Sequence, residues 1–62
     1  MSYHVIYRDS RWHVRKDGAR RATKSFDSRL AAIDYGRSLV LSKRVDLFIH
    51  RRDGLVEEHQ RP

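Results

Sequence analysis

Hydrophobic and polar residues alternate in twos near both ends of the chain and recur every three to four positions in the middle. Tyr3 to Arg8 and Trp12 to Arg15 are rich in β-branched and aromatic residues, and Asp9-Ser10 between them has the composition of a tight turn. A two-residue loop there sets Arg8 opposite Arg11, Tyr7 opposite Trp12, Ile6 opposite His13, Val5 opposite Val14 and His4 opposite Arg15. One face then carries Val5, Tyr7, Trp12 and Val14, and the other carries His4, Ile6, Arg8, Arg11, His13 and Arg15. The apolar bulk gathers on one side, as a half-buried antiparallel pair requires. Asp17-Gly18 is a second turn signal. Ala19 to Lys24, with only two alanines as apolar residues, reads as a loop with some extended character.

Asp27-Ser28 offers two capping side chains for the segment that follows. There Leu30, Ile33, Gly36 and Val40, flanked by Ala32 and Leu39, form a stripe at helical spacing. Gly36 inside that stripe costs about 1 kcal/mol against alanine, so its expected use is a close approach to the sheet. Phe26 is placed to pack back on the first turns, and Ser42-Lys43-Arg44 ends the helix with charges suited to its dipole. Val45 to His50 is the third strand, with Val45, Leu47 and Ile49 on one face and Asp46, Phe48 and His50 on the other. Arg51-Arg52-Asp53-Gly54 is a turn and Leu55 to His59 the fourth strand. A four-residue loop sets Ile49 opposite Val56, whereas a two-residue loop sets it opposite Glu58, so matching of apolar residues favours the longer loop.

These elements make an α+β domain of order ββαββ over residues 1–62, two antiparallel hairpins joined in one sheet with the helix packed on one face. At 62 residues the chain buries only about 60% of its unfolded surface and has no cysteine to staple it, which points towards a homodimer. No segment reads as a signal peptide or approaches the ~20 apolar residues of a membrane span, so a cytoplasmic protein with no membrane partner is expected.

Several short motifs recur in this order in a known family. They are Tyr3-His4-Val5-Ile6 with Arg8-Asp9, Trp12-His13-Val14, Gly18-Ala19 with Arg21-Ala22, Asp27-Ser28 ahead of Ala32-Ile33, Gly36-Arg37 and Leu39, and Leu47-Phe48-Ile49-His50 before Asp53-Gly54. In their order and spacing the chain resembles DUF2188, a family of short bacterial proteins of unknown function, over nearly its whole length. It departs from the family pattern in lacking an acidic residue near Ala31 and in having Gly36 where alanine is usual. The resemblance implies a ββαββ-like domain and carries over no catalytic residues.

Net charge changes the picture most. Of a total of +6, residues 1–26 hold +5, from Arg8, Arg11, Arg15, Lys16, Arg20, Arg21 and Lys24 against Asp9 and Asp17. With Phe48, His50 and Ile6 on the open sheet face, cations for phosphates lie among rings for bases. The expected function is therefore an accessory DNA- or RNA-binding module. Arg8, Arg11, Arg15, Arg20, Arg21 and Lys24 would meet phosphates, with Phe48 and His13 against bases or sugar and the Arg51-Arg52 turn extending the track. The alternative is a non-enzymatic homodimer or partner-binding protein, such as a phage-borne or stress-linked inhibitor, using exposed Ile6 and Phe48 as an apolar docking face. No P-loop, dinucleotide turn, nucleophile elbow or HExxH helix is present, so no enzyme and no cofactor are expected. His4, His13, His50 and His59 fall one per strand, all towards the open face, without spacing that sets up a tetrahedral metal site.

Overall fold

The first hairpin forms in the register that its apolar residues dictate. In the computed structural model, which describes residues 1–62, β1 (Ser2–Arg8) and β2 (Arg11–Lys16) run antiparallel with Val5 opposite Val14 and Tyr7 opposite Trp12. Val5 and Val14 are fully buried and Tyr3 and Trp12 nearly so, while Tyr7 packs at the core margin. Asp9 and Ser10 turn the chain with φ of 53° and 63°. Two left-handed residues in succession match the twist of the flanking strands, although neither is the glycine that such turns favour.

The segment beyond the second turn is loop as far as Thr23, and Lys24–Phe26 then forms β3, antiparallel to β2 with Trp12 opposite Phe26. This strand, additional to the four that the pattern predicts, is too short to show periodicity. The helix, α1 (Arg29–Lys43), starts from Ser28, whose Oγ accepts a hydrogen bond from the Ala31 N–H at 2.9 Å. Its first turn has no acidic residue, so the cap acts without the reciprocal bond of a capping box. Arg44 ends it in the left-handed conformation at φ 54°. Phe26 packs on Tyr35, ring centroids 5.6 Å apart. The buried stripe is Ala32, Ile33, Gly36, Leu39 and Val40. Leu30, expected within it, is 67% exposed. Gly36 makes the expected close approach, since a Cβ there would lie 2.9 Å from Leu47 Cδ1.

After the helix, β4 (Asp46–His50) lies parallel to β1, Tyr3 beside Leu47 and Val5 beside Ile49. β5 (Val56–Gln60) closes a five-stranded mixed sheet of order β3-β2-β1-β4-β5. The ββαββ order holds, with the two hairpins joined through a central parallel pair. The last hairpin corrects the apolar matching: Ile49 faces Glu58, and a bulge between Ile49 and His50 brings His50 opposite Val56. The reason is that α1 packs on β1, β2, β3 and β4 and meets β5 through ion pairs. Arg29 bonds Glu57, and Arg37 Nη2 lies 3.7 Å from Glu58 Oε2. β5 therefore needs no apolar residue towards the helix, and Leu55 and Val56 remain 61% and 53% exposed. The core is eleven hydrophobic residues between helix and sheet, with no buried polar residue among them.

Candidate nucleic-acid interface

With one face of the sheet under the helix, the other displays the residues at alternate positions: His4, Ile6 and Arg8 of β1, Arg11, His13 and Arg15 of β2, Ser25 of β3, Phe48 and His50 of β4 and His59 of β5. These divide into two halves with different chemistry.

On the β2–β3 side, Ile6, Arg8, His13, Arg15, Arg20 and Arg21 surround a depression of about 430 Å³, completed by Asp9, Ala22 and Ser25. Pairing puts Ile6, His13 and Ser25 in one row across three strands. Arg8 and Arg15 stand two residues further along their strands, and Arg20 and Arg21 come from the loop after β2. Arg15, Arg20 and Arg21 make no ion pair, and the Arg15 Nε is buried without a hydrogen-bond partner. Arg8 has only Asp9, at 4.0 Å. His13 is held at both nitrogens, to Ser25 Oγ at 2.6 Å and to the Arg8 carbonyl at 2.8 Å. The carbonyl can only accept, so Nε2–H donates to it and Nδ1 is left to accept from the Ser25 hydroxyl.

On the β4–β5 side the rings are packed on one another. Phe48 lies between His4 and His59, with centroids 5.2 Å and 4.2 Å away and interplanar angles of 18° and 17°. Both faces of the phenyl ring are thus covered, and it has none left for a nucleobase. His4 Nδ1 is 2.9 Å from His50 Nε2, and His50 Nδ1 is 3.0 Å from the Gly54 carbonyl. The Gly54 carbonyl takes the Nδ1–H of His50, whose Nε2 then accepts from His4 Nδ1–H. His4 Nε2 faces Asp17 Oδ1 at 3.2 Å. Burial and the neighbouring His50 hold the His4 imidazole below the usual histidine range, against the pull of Asp17. His59 has Asp46 for a partner at 3.4 Å. No three metal-ligating side chains converge in the molecule.

Four of the residues that sequence points to as cations for phosphates, or as an extension of their track, are engaged elsewhere. Lys24, paired with Val14, turns to the helix side and lies over the Phe26 and Tyr35 rings at 5.6 Å and 5.4 Å. Arg11 is bound to Asp27 Oδ1 at 3.1 Å. Arg51 is paired with Asp53 at 2.6 Å. Arg52 lies over the Tyr7 ring at 4.3 Å and donates to its hydroxyl, a bond that pulls the phenol below its usual range. The arginines brought together are Arg8, Arg15, Arg20 and Arg21. Ser25, which orients His13, is the site residue that sequence does not single out. Its position opposite His13 follows from β3, which is too short to be seen in the pattern.

The molecule is thus a small α+β domain whose uncovered sheet face is basic at one side and aromatic at the other. The chain belongs to the family described as an uncharacterized protein conserved in bacteria (DUF2188), whose model matches residues 3–61. No curated protein and no solved structure matches it.

Proposed function

We propose that this domain is a non-enzymatic nucleic-acid-binding module of the bacterial cytoplasm, gripping phosphates with Arg8, Arg15, Arg20 and Arg21. One observation carries the reading: Arg15, Arg20 and Arg21 surround a single depression with no acidic partner, and the Arg15 Nε is buried without a bond. A buried donor left unmade costs about 1–3 kcal/mol, which an anion in the depression would recover. Elsewhere on the surface, arginines such as Arg11, Arg29, Arg37 and Arg51 are paired with carboxylates. Arg44, Arg52 and Arg61 also lack a carboxylate, but Arg15, Arg20 and Arg21 are the unpaired arginines gathered around one depression.

The homodimer or partner-docking reading draws on Leu55 and Val56, both exposed beside the free edge of β5. The open face supports it less, because Phe48 is covered by histidines of its own chain.

The test is binding of the purified protein to a mixed duplex DNA and a single-stranded RNA across a salt series, with light scattering in the same buffers. Each phosphate neutralised adds about −0.7 to −0.9 to the log–log slope, so affinity should fall with salt by at least that much. Arg20→Glu with Arg21→Glu, both in an exposed loop, should abolish binding without unfolding the domain. Undiminished affinity in that variant would sink the proposal. A clean dimer with no binding at low salt would favour the docking module.

A further inference from the structure

Resting on the nucleic-acid reading, we infer that the depression takes one unstacked nucleotide, its phosphate on Arg15, Arg20 and Arg21 and its base on the locked His13 ring beside Ile6, so that the ligand is single-stranded.

Three observations lead there. The site is concave and of a volume suited to a small group. Its floor carries an aliphatic side chain, Ile6, directly opposite a ring, His13, between the arginines at either end. Phosphate alone has no use for either. The His13 ring also has both nitrogens committed, one to Ser25 and one to the Arg8 carbonyl. It therefore offers no hydrogen-bonding edge, only carbon and its π surface, and its orientation is set before any ligand arrives. A preorganised ring next to a cation cluster is how single strands are held without sequence preference, since every base has a π face. In a duplex those faces are stacked and out of reach. The ring that sequence favours for this role, Phe48, is excluded because its two faces are already filled. Along β2, His13 and Arg15 are two residues apart on the same face, a spacing of about 7 Å that separates the ring from the guanidinium.

The experiment compares a short mixed-sequence single-stranded DNA with the same strand annealed to its complement, for the wild type, His13→Ala and His13→Phe. The expected result is single-strand affinity at least about tenfold above that for the duplex, a loss of about tenfold in His13→Ala with an unchanged salt slope, and retention in His13→Phe. Equal affinity for the two forms overturns the inference and leaves the nucleic-acid reading standing, and it does so with wild-type protein alone, whether or not a variant folds. A His13→Ala protein that folds and binds the single strand as the wild type does would overturn it too. No binding of either probe at low salt overturns both readings.

Discussion

Among single residues, the sharpest contrast is between two histidines on the same face. His13 sits in a bond pattern that one neutral ring satisfies completely, with an acceptor at Nε2 and a hydroxyl at Nδ1. His4 has one bond to His50, and its Nε2 faces a carboxylate, so it has a place for a second proton but an environment that resists one. Burial and His50 prevail over Asp17, and the His4 imidazole titrates below an ordinary histidine. The unfolded chain therefore takes up this proton first as pH falls. The stabilising contribution of neutral His4 is present above pH 6.5 and is lost on acidification through the folded value. Urea midpoints should fall between pH 7 and pH 5, with a smaller fall in His4→Gln, and the His4 ring resonance should titrate below 6.5. Since the charge of His50 is the second-largest cause of the lowering, His50→Gln should move that titration up. A wild-type His4 midpoint at or above 6.5 would contradict the packing described.

Among elements, what could be read in the sequence follows from where the helix lies. The β1–β2 register was legible because both strands run under α1, so alternation of apolar side chains and burial are the same fact there. The same rule fails at β5, which the helix meets through Arg29 and Arg37. Glu58 opposite Ile49 is acceptable once an arginine stands over it, and no pattern within the strand itself could show that. Leu30 fails for a related reason, lying in the first helical turn and left exposed outside the buried stripe. The covering of Phe48 was illegible because it depends on β4 lying between β1 and β5, and strand order is not a property of any one segment. Gly36 was legible, and its contact has a measurable consequence. Alanine there gains about 1 kcal/mol of helix propensity but crowds Leu47, and overpacking a core costs about 1–3 kcal/mol. With Leu47 fully buried and its Cδ1 2.9 Å from the new Cβ, crowding should win, and Gly36→Ala should lose about 1 kcal/mol in denaturant unfolding. Leu47→Val, which removes a methylene, should make the same alanine less costly or favourable. A double-mutant cycle showing no coupling between the two positions would contradict the contact.

For the whole molecule, charge and stability are two sides of one arrangement. A chain of 62 residues with no disulfide and twelve buried residues is held by little more than its eleven-residue apolar core. Such a domain gains from carboxylates beside its arginines, yet Arg15, Arg20 and Arg21 have none. Their mutual repulsion acts on the free protein and is relieved by a bound polyanion, so ligand binding should be visible as folding stability. At a ligand concentration of about 100 times Kd, mass action adds about 2.7 kcal/mol. For a domain of this size each kcal/mol moves Tm by roughly 4–8 °C. Melting of the wild type with excess single-stranded DNA in low salt should therefore rise by on the order of 10 °C, and the rise should vanish in high salt as the phosphate contacts weaken. Arg20→Glu with Arg21→Glu should melt close to the wild type when free, because neither side chain makes an ion pair, and should show no rise with DNA. A homodimer held by apolar contact behaves differently: its Tm climbs with protein concentration in the absence of any ligand, in low and high salt alike. The two melting series separate a basic face that works by holding phosphates from a basic surface that only keeps a protein-binding domain in solution.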